Sequence, residues 1–333
     1  MTHAQANTSP VSKTNTVQWR PSANRAALEK RAAVYRYVRE FFKQRGVLEV
    51  ETPLLCRYGV TDRHIEHIIA PLAAGDGYLQ SSPEFAMKRL LAAGSGPIYQ
   101  ICKAFRQEEN GRHHHHEFTM LEWYQLDYSH HQLMEEVDHL LQPLLNSPSE
   151  KISYRTLFMQ TVALDPFATD LTTYRQHLLT HQVHLSEDAL ASLTTVSARA
   201  LLLSHVIEPL LAERGLVFIY DYPKEEAALA RLSPHAPDVA ERFEVYYRGN
   251  ELANGFCELQ NADEQHARFL ADQAWRKTHQ QANRPIDPYF IAALTHGLPF
   301  CSGVALGLDR LLMHLLDADH IKEVLSFDGD INP

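Results

Sequence analysis

The side chains best suited to chemistry are concentrated between Phe105 and Tyr124. Strand side chains alternate with a period of two, so Phe118, Glu122 and Tyr124 are expected on one face of their strand. A carboxylate on a packed face is costly unless it meets a cation or another partner. Arg106 adds a permanent positive charge whose planar fork suits phosphoryl oxygens. This combination of ring, guanidinium and carboxylate indicates a nucleotide-binding site.

These residues belong to a predicted β-hairpin. Its strands are expected over residues 99–106 and 117–126, and the polar loop between them carries the turn signal Asn110-Gly111. An alternative interpretation remains open, in which the sheet is half-exposed and Arg106 pairs with Glu108 or Glu109. The hairpin alone therefore only suggests a site.

Arg310 is a second candidate for binding phosphate. It lies in the first turn of a helix predicted to begin near Asp309, where the positive helix end favours an anion. Gly307, just before it, would let the backbone approach a nucleotide closely. Arg106 and Arg310 would then flank one triphosphate. The alternative is that Arg310 pairs with Asp309 or Asp317.

An acidic pocket is predicted on a second hairpin, over residues 241–260, with its turn at Gly249-Asn250. Asn254, Phe256 and Glu258 fall on one face of the return strand. If Glu258 is buried, only a cationic ligand compensates its charge, and ligand specificity follows from desolvation. A glutamate on a solvated strand face is the alternative.

Helices are predicted beside both hairpins. Apolar residues recur at helical spacing over residues 24–44, and Gly46 supplies a stop signal. A short strand is expected at 47–51. A second helix opens at Ser82-Pro83, with Ser82 available as the N-cap and proline in the tolerated first turn. A third helix is expected over residues 130–145.

The composition restricts the class of protein. The chain has 333 residues and 45% hydrophobic content, enough for one large core. A net charge of −10 argues against a surface that attracts nucleic acid and favours a basic partner. The four cysteines form no CxxC pair, and no apolar run is long enough to cross a membrane, so a cytoplasmic location is expected. The polar segment 1–22 is predicted to be a disordered tail.

Four stretches, in order along the chain, resemble class II aminoacyl-tRNA synthetases of the lysyl branch. Residues 35–55 resemble motif 1, residues 106–124 (with RQE and EFTMLEWY) resemble motif 2, and GVALGLDRLLM at 303–313 resembles motif 3. ELANGFCEL at 251–259 is similar to the lysine-binding segment of that branch. The resemblance implies an α+β fold, an antiparallel β-sheet flanked by helices, and a homodimer formed through motif 1.

The resemblance also implies the roles of the site residues. Arg106 and Arg310 are expected to be catalytic and to bind ATP, together with Gln107, Glu108, His114, His115, Phe118, Glu251, Leu252 and Gly307. The amino acid is expected to contact Ser82, Pro83, Glu84, Glu122, Tyr124, Asn254, Phe256 and Glu258. Glu244 and Glu251 correspond to Mg²⁺ ligands, whose oxygens suit that ion. A two-residue turn would separate these two carboxylates, so their convergence requires a bulge or a longer loop.

The four histidines at 113–116 invite a second interpretation as a transition-metal site. Adjacent residues of an extended chain point to opposite sides, and no cysteine or aspartate cluster accompanies them. By resemblance, His114 instead matches a position that contacts the phosphates of ATP. His115 and His116 replace the Asn-Pro usual there.

The domain organisation narrows the resemblance. A catalytic domain is expected over 23–333, with a mostly helical insertion near 155–215, and too few residues precede motif 1 for an anticodon-binding barrel. This arrangement resembles the truncated family of elongation factor P–(R)-β-lysine ligases. That resemblance implies ATP-dependent activation of (R)-β-lysine or lysine and its transfer to a lysine of elongation factor P, with no role for a membrane or tRNA. The alternatives are a lysine–tRNA ligase without an anticodon domain and an inactive regulatory paralogue.

Overall fold

The computed structural model of the chain describes residues 19–73, 75–107 and 110–328. Its strands are β1 (Leu48–Glu49), β2 (Leu55–Cys56), β3 (Ile69–Leu72), β4 (Gly75–Leu79), β5 (Ile98–Phe105), β6 (Glu117–Leu126), β7 (Ser149–Ser153), β8 (Leu216–Pro223), β9 (Val239–Tyr247), β10 (Asn250–Cys257) and β11 (Cys301–Gly307). Its α-helices are α1 (Arg25–Gln44), α2 (Glu84–Ala92), α3 (His130–Leu145), α4 (Tyr154–Val162), α5 (Leu171–Thr180), α6 (Glu187–Ala191), α7 (Thr195–Leu202), α8 (Glu208–Leu210), α9 (Ala262–Thr278), α10 (Pro288–Gly297) and α11 (Leu308–Leu315). A π-helix spans Leu203–Ile207, and 3-10 turns lie at Leu211–Glu213, Lys224–Glu226 and Ile321–Glu323.

The central sheet has the strand order β1-β5-β6-β11-β10-β9-β8-β7. Its neighbouring strands are antiparallel except at the two edges, where β1 runs parallel to β5 and β7 parallel to β8. A smaller antiparallel sheet has the order β2-β4-β3. The predicted α+β class, with an antiparallel sheet flanked by helices, is confirmed.

Helix α1 packs against the core-facing side of the first hairpin. Asn24 caps it by accepting a hydrogen bond from the Ala27 amide at 2.9 Å, so the predicted helix is confirmed. From its buried face, Phe42 stacks on Tyr99 of β5 at 4.4 Å between centroids and meets the edge of Trp123 of β6 at 5.3 Å. The core-facing side of the hairpin is therefore fixed by aromatic packing.

The first hairpin has the predicted alternation. Strands β5 and β6 pair antiparallel from Ile98 opposite Tyr124 to Phe105 opposite Glu117. The first strand therefore lies one residue earlier than predicted. Trp123 is fully buried in the core beneath the sheet, as the period of two requires.

The second hairpin contains the irregularity that the sequence analysis required. Tyr247 pairs with Asn250, so the turn residues are Arg248 and Gly249, one position earlier than predicted. Their φ angles are 50° and 79°, as a type I′ turn demands. The register of β9 and β10 then shifts beyond Glu251, which is a β-bulge.

The segment between β7 and β8 is mostly helical and has its own apolar cluster. Tyr154, Phe158, Leu202 and Ile207 are buried there against β8. Contrary to the expectation that no apolar run is long enough to cross a membrane, the helical stretch 195–213 of the described chain is long and apolar enough by length and composition alone. One-third of its apolar window is buried, and these residues pack into this cluster, as the inward face of an amphipathic helix does.

Two local predictions need correction. Pro83, not Ser82, is the N-cap of α2, and no side chain caps this helix, although Ser82 Oγ lies 3.4 Å from the Glu84 amide. The strand predicted at 47–51 is only two residues long. Of the predicted tail 1–22, residues 1–18 lie outside the described residues, and the Ser22 amide donates to the Ser326 carbonyl at 3.0 Å.

Phe42→Ala is expected to lower the free energy of unfolding by about 3–5 kcal/mol, because it leaves a cavity beneath the hairpin. Phe327 is 62% exposed, so Phe327→Ala is the matched control and is expected to cost about 0.5 kcal/mol or less. Urea denaturation followed by circular dichroism measures both variants. Equal losses in the two proteins would contradict the assignment of Phe42 to the supporting core.

Candidate active site

Arg106 and Arg310, the two candidate phosphate-binding residues, line one cavity of about 820 Å³ on the face of the sheet opposite α1. The predicted site residues that line it are Ser82, Arg106, His114, His115, Phe118, Glu122, Glu251, Leu252, Asn254, Phe256, Gly307 and Arg310. Those that do not line it are Pro83, Glu84, Gln107, Tyr124, Glu244 and Glu258. Glu108 lies outside the described residues. Most of the predicted site residues therefore line a single cavity, whereas the acidic residues Glu84, Glu244 and Glu258 do not line it.

Arg106 lies over the ring of Phe118, with its guanidinium carbon 5.1 Å from the ring centroid. The loop fixes the Arg106 backbone, because its amide donates to the His116 carbonyl at 3.0 Å. Both side chains face the cavity. A cation beside an aromatic ring suits a ligand with both phosphate and a flat base.

Arg310 reaches the cavity from the first turn of α11. Its Nη1 donates to the Glu251 carbonyl at 2.8 Å, its Nε donates to the His113 carbonyl at 3.3 Å, and its Nη2 lies 2.6 Å from His114 Nε2. These contacts connect α11 to the bulge of the second hairpin and to the loop of the first. The guanidinium is thereby positioned where the two hairpins meet.

The two aspartates that offered Arg310 an alternative partner are engaged elsewhere. Asp309 is buried; its Oδ1 accepts from Arg31 of α1 and its Oδ2 from the Thr119 amide of β6, both at 2.5 Å. Asp317 pairs with an exposed arginine on the turn between β9 and β10. Asp309 therefore anchors the start of α11 to the core side of the site and leaves Arg310 to the cavity.

Gly307 leaves open space on the cavity wall. A Cβ built there would meet only the Leu252 carbonyl at 3.8 Å and the Arg310 side chain at 3.9 Å. Its φ of −75° is also open to any residue. Neither packing nor backbone conformation requires glycine, so the space suits a ligand that approaches the backbone. This region fits the predicted ATP.

A buried group of charges lies behind the Glu122 end of the cavity. Lys88 Nζ is 2.5 Å from Glu258 Oε2 and 2.6 Å from Glu84 Oε1. The Tyr124 hydroxyl donates to Glu122 Oε1 at 2.7 Å. Glu122 lines the cavity, and within the described chain its buried Oε2 has no hydrogen-bond partner. This oxygen is the candidate contact for a cationic group of the ligand.

Burial shifts the titration of these groups. Desolvation and then the charge of Glu84 raise the pKa of Glu122 well above its usual range, against the Tyr124 hydrogen bond. Desolvation also raises the pKa of Glu258 to about 8, although the Lys88 ammonium opposes this rise. Burial disfavours the Lys88 ammonium, but Glu258 and Glu84 outweigh it and raise the pKa of Lys88. A cation reaching this group would favour ionised carboxylates.

The two predicted magnesium ligands differ in what they can offer. Glu244 Oε2 accepts from the hydroxyls of Tyr222 at 2.7 Å and Tyr246 at 2.6 Å, and Oε1 pairs with Arg242. Glu251 lines the cavity, and 41% of its side chain is exposed. Desolvation and the charge of Glu244 raise the pKa of Glu251 to about 7. Glu251 therefore fits a magnesium ion. Both oxygens of Glu244 already have hydrogen-bond or ion-pair partners, which does not favour a metal ligand. The role of Glu244 as a magnesium ligand stays a prediction.

The metal interpretation of the histidines at 113–116 finds no support in the described chain. His115 is buried, with Nδ1 2.8 Å from the Glu117 carbonyl, and His114 contacts Arg310. The histidine and aspartate side chains that do lie close enough together to hold an ion, within the described ranges, are His130, His131 and Asp221.

Lys88 and Arg242 are charged residues of the site that the sequence analysis did not assign. The position of Lys88 four residues after Glu84, in a helix of mostly apolar residues, is a signal that could have revealed their ion pair. Arg242 lies opposite Phe256 across the second hairpin and donates to Asn254 Oδ1 at 3.3 Å. No sequence signal marks these contacts, because they depend on the register of β9 and β10.

Glu122→Gln is expected to stabilise the ligand-free protein at pH 8 more than at pH 5. Since burial raises the pKa of Glu122, the folded chain binds this proton more tightly than the unfolded chain, and stability falls as the pH rises above the ordinary value of 4.5. Glutamine does not titrate, so the variant escapes this loss, and its Tm at pH 8 is expected to be about 2 °C higher or more.

Thermal unfolding from pH 5 to pH 8 measures this difference. Glu117→Gln, at the half-exposed start of the same strand, is the matched control and is expected to change the Tm less. A Tm difference between Glu122→Gln and the parent that is the same at every pH would show that the buried charge is not its source.

Comparison with known proteins identifies the family. The family described as tRNA synthetases class II (D, K and N) matches residues 10–330. Relatives that carry the name elongation factor P–(R)-beta-lysine ligase include the three proteins described next. The protein from Vibrio cholerae serotype O1 is 48% identical over 317 residues, which cover 93% of this chain and 97% of the relative. Those from Pseudoalteromonas translucida and Edwardsiella ictaluri are each 46% identical, over 93% and 94% of this chain and 97% and 98% of the relatives.

The match covers nearly the whole of both chains, so it extends over the two hairpins, α11 and the helical segment between β7 and β8. The resemblance inferred from the four sequence stretches is confirmed. The chain belongs to the class II tRNA synthetase family and, within it, to the family of the elongation factor P–(R)-β-lysine ligases.

Proposed function

We propose that this chain activates (R)-β-lysine with ATP and transfers the β-lysyl group to the ε-amino group of a lysine of elongation factor P. The names of relatives 46–48% identical support this reaction. The observation that carries it in this molecule is that Arg106, Arg310 and Glu122 all line one cavity. A triphosphate and an amine-bearing acid can therefore be held side by side.

In the first step, the carboxylate of β-lysine attacks the α-phosphorus of ATP in line. A new P–O bond forms, the bond to the β-phosphate oxygen breaks, and pyrophosphate leaves with the bonding electrons. Arg106 and Arg310 stabilise the charge that develops on the phosphoryl oxygens. The protein needs no covalent intermediate here, so positioning and electrostatics supply most of the rate enhancement.

In the second step, the ε-amino nitrogen of the acceptor lysine attacks the acyl carbon of the adenylate. An amide bond forms, the bond between acyl carbon and phosphate oxygen breaks, AMP leaves, and the nitrogen loses a proton. The open side of the cavity would admit the acceptor, while Glu122 keeps the amino end of the acyl group on the inner side.

Magnesium is proposed as a cofactor, with Glu251 as its protein ligand on the cavity wall. When bound, the ion neutralises part of the triphosphate charge. Glu251 carries a raised pKa beside Glu244, and a nearby cation would favour its ionised form.

We also propose that the chain works as a homodimer in the cytoplasm. Large apolar side chains are exposed around β1, β2 and β3, including Leu48 (55%), Leu55 (42%) and Leu72 (50%). Among these strands, β1 contacts α1, and the resemblance places α1 and this strand in a dimer interface. All four cysteines are free, as expected in a reducing compartment.

The function is tested with two assays on the purified chain. ATP–pyrophosphate exchange that requires β-lysine or lysine is expected and would eliminate an inactive regulator. Labelled β-lysine is then expected to enter elongation factor P and not tRNA-Lys. Label in tRNA-Lys alone would instead establish a lysine–tRNA ligase, and no exchange with either amino acid would refute the adenylation.

Arg106→Ala and Arg310→Ala are each expected to reduce the exchange rate by about 100-fold or more, because each removes a charge from the phosphoryl group in the transition state. Arg25→Ala is the control, since that side chain is 91% exposed on α1. Exchange kinetics with saturating amino acid measure all three. An exchange rate that survives either active-site substitution would remove that arginine from the mechanism.

The double substitution Leu48→Arg with Leu55→Arg is expected to yield monomers, because it places charges on exposed apolar positions of β1 and β2. Leu210→Arg is the matched control, since Leu210 is 57% exposed on the helical segment far along the sheet. Light scattering after size-exclusion chromatography reports the mass. If both proteins keep the parent's mass, this surface is not the interface.

A further inference from the structure

Lys88 is the one buried side chain of the described acidic pocket that carries a positive charge, and no step above uses it. It is 1% exposed, on the inner face of α2. Its ammonium bridges Glu84 on the same helix and Glu258, which follows β10. A lysine this deeply buried needs a specific reason, because removing an ammonium from water is costly unless it is paired.

The charges of the pocket can be counted. Its carboxylates are the buried Glu122 and Glu258 and the partly buried Glu84, whose charge helps to raise the pKa of the other two. Three carboxylates against the one ammonium of Lys88 leave two negative charges when all are ionised. Two ammonium groups of a ligand would neutralise these charges, whereas one would leave a carboxylate to take up a proton.

We propose that Lys88 is a positioning and specificity-determining residue. It holds Glu84 and Glu258 together and leaves the ligand-free pocket with two uncompensated negative charges, which match an acid with two amino groups. This inference deepens the proposed function and rests on its substrate class. Lys88 does not contact the reacting atoms; it acts through the two glutamates.

The surroundings of Lys88 offer no other cation that could take its place within the described chain. The groups that face the pair from the packed elements are Glu84 on α2, Glu122 and Tyr124 on β6, Cys301 on β11 and the ring of Phe290 on α10, 5.9 Å from Nζ. All of these are acidic, neutral or aromatic. Without Lys88, the pocket would therefore lower its charge by binding a proton.

Calorimetric titration with (R)-β-lysine tests the inference without requiring catalysis. Repeated in buffers of different ionisation enthalpy, it gives the number of protons released per ligand bound. Lys88→Met is expected to release about one proton more than the parent near pH 7, because its extra bound proton must leave when the two ammonium groups arrive. Its Kd is expected to be about tenfold weaker at pH 7 and to approach the parent's value by pH 8.5.

Two further variants separate the charge from the shape. Lys88→Arg keeps the charge, and Lys88→Met with Glu84→Gln removes one positive and one negative group together. Both are expected to release the same number of protons as the parent. The double variant also replaces a buried ion pair by neutral groups, which folded proteins tolerate better than a single unpaired charge, so the test survives if Lys88→Met does not fold.

A ligand with one amino group completes the experiment. 3-Aminohexanoic acid, which has the β-amino group but no ε-amino group, is expected to bind the parent at least about tenfold more weakly than β-lysine. Equal proton release by the parent and Lys88→Met would overturn the inference, as would parent protein that binds both acids equally. The chain could instead prefer the acid with two amino groups and show the predicted proton release, yet fail to modify elongation factor P. That result would uphold the inference about Lys88 and refute only the proposed function.

Discussion

The burial of acidic side chains on a packed sheet is the constraint on which the rest of this structure depends. A carboxylate removed from water must find a cation or hydrogen-bond donors, or else it takes up a proton. Glu258 and Glu84 form ion pairs with Lys88. Glu244 accepts hydrogen bonds from two tyrosines and pairs with Arg242. Asp309 binds Arg31 and a backbone amide. Among the described residues, Glu122 has only the Tyr124 hydroxyl as a hydrogen-bond donor, on one of its oxygens. The incomplete case is the one that lines the cavity.

The sheet brings these groups together by its strand order. Strand β11 lies between β6 and β10, so the two hairpins are joined through a strand from near the end of the chain. This strand leads directly into α11, which places Arg310 between the two hairpins. The aromatic packing of α1 beneath β5 and β6 holds the opposite face rigid. The cavity therefore rests on a support that residues distant in sequence build together.

The bulge in the second hairpin shows how a local irregularity serves the site. A regular ladder would alternate strictly beyond the turn, whereas the shift after Glu251 moves the following residues by one position relative to β9. Glu251 and Leu252 thereby reach the cavity together, and Asn254 and Phe256 follow on the same wall. The Glu251 carbonyl also accepts from Arg310. The bulge thus couples the second hairpin to α11.

The sequence by itself predicted the main elements around the site and twelve of the residues that line the cavity. Periodicity and the stop signal at Gly46 sufficed for α1, and turn signals sufficed for both hairpins, because these features depend on neighbours within a few residues. Motif residues such as Arg106, Glu122 and Arg310 were assigned by spacing and resemblance. Only the tertiary structure decided how the charges are paired. The partner of Glu258 is a lysine 170 positions away, and the partners of Glu244 depend on strand register, so burial and pairing arise only when distant segments pack together.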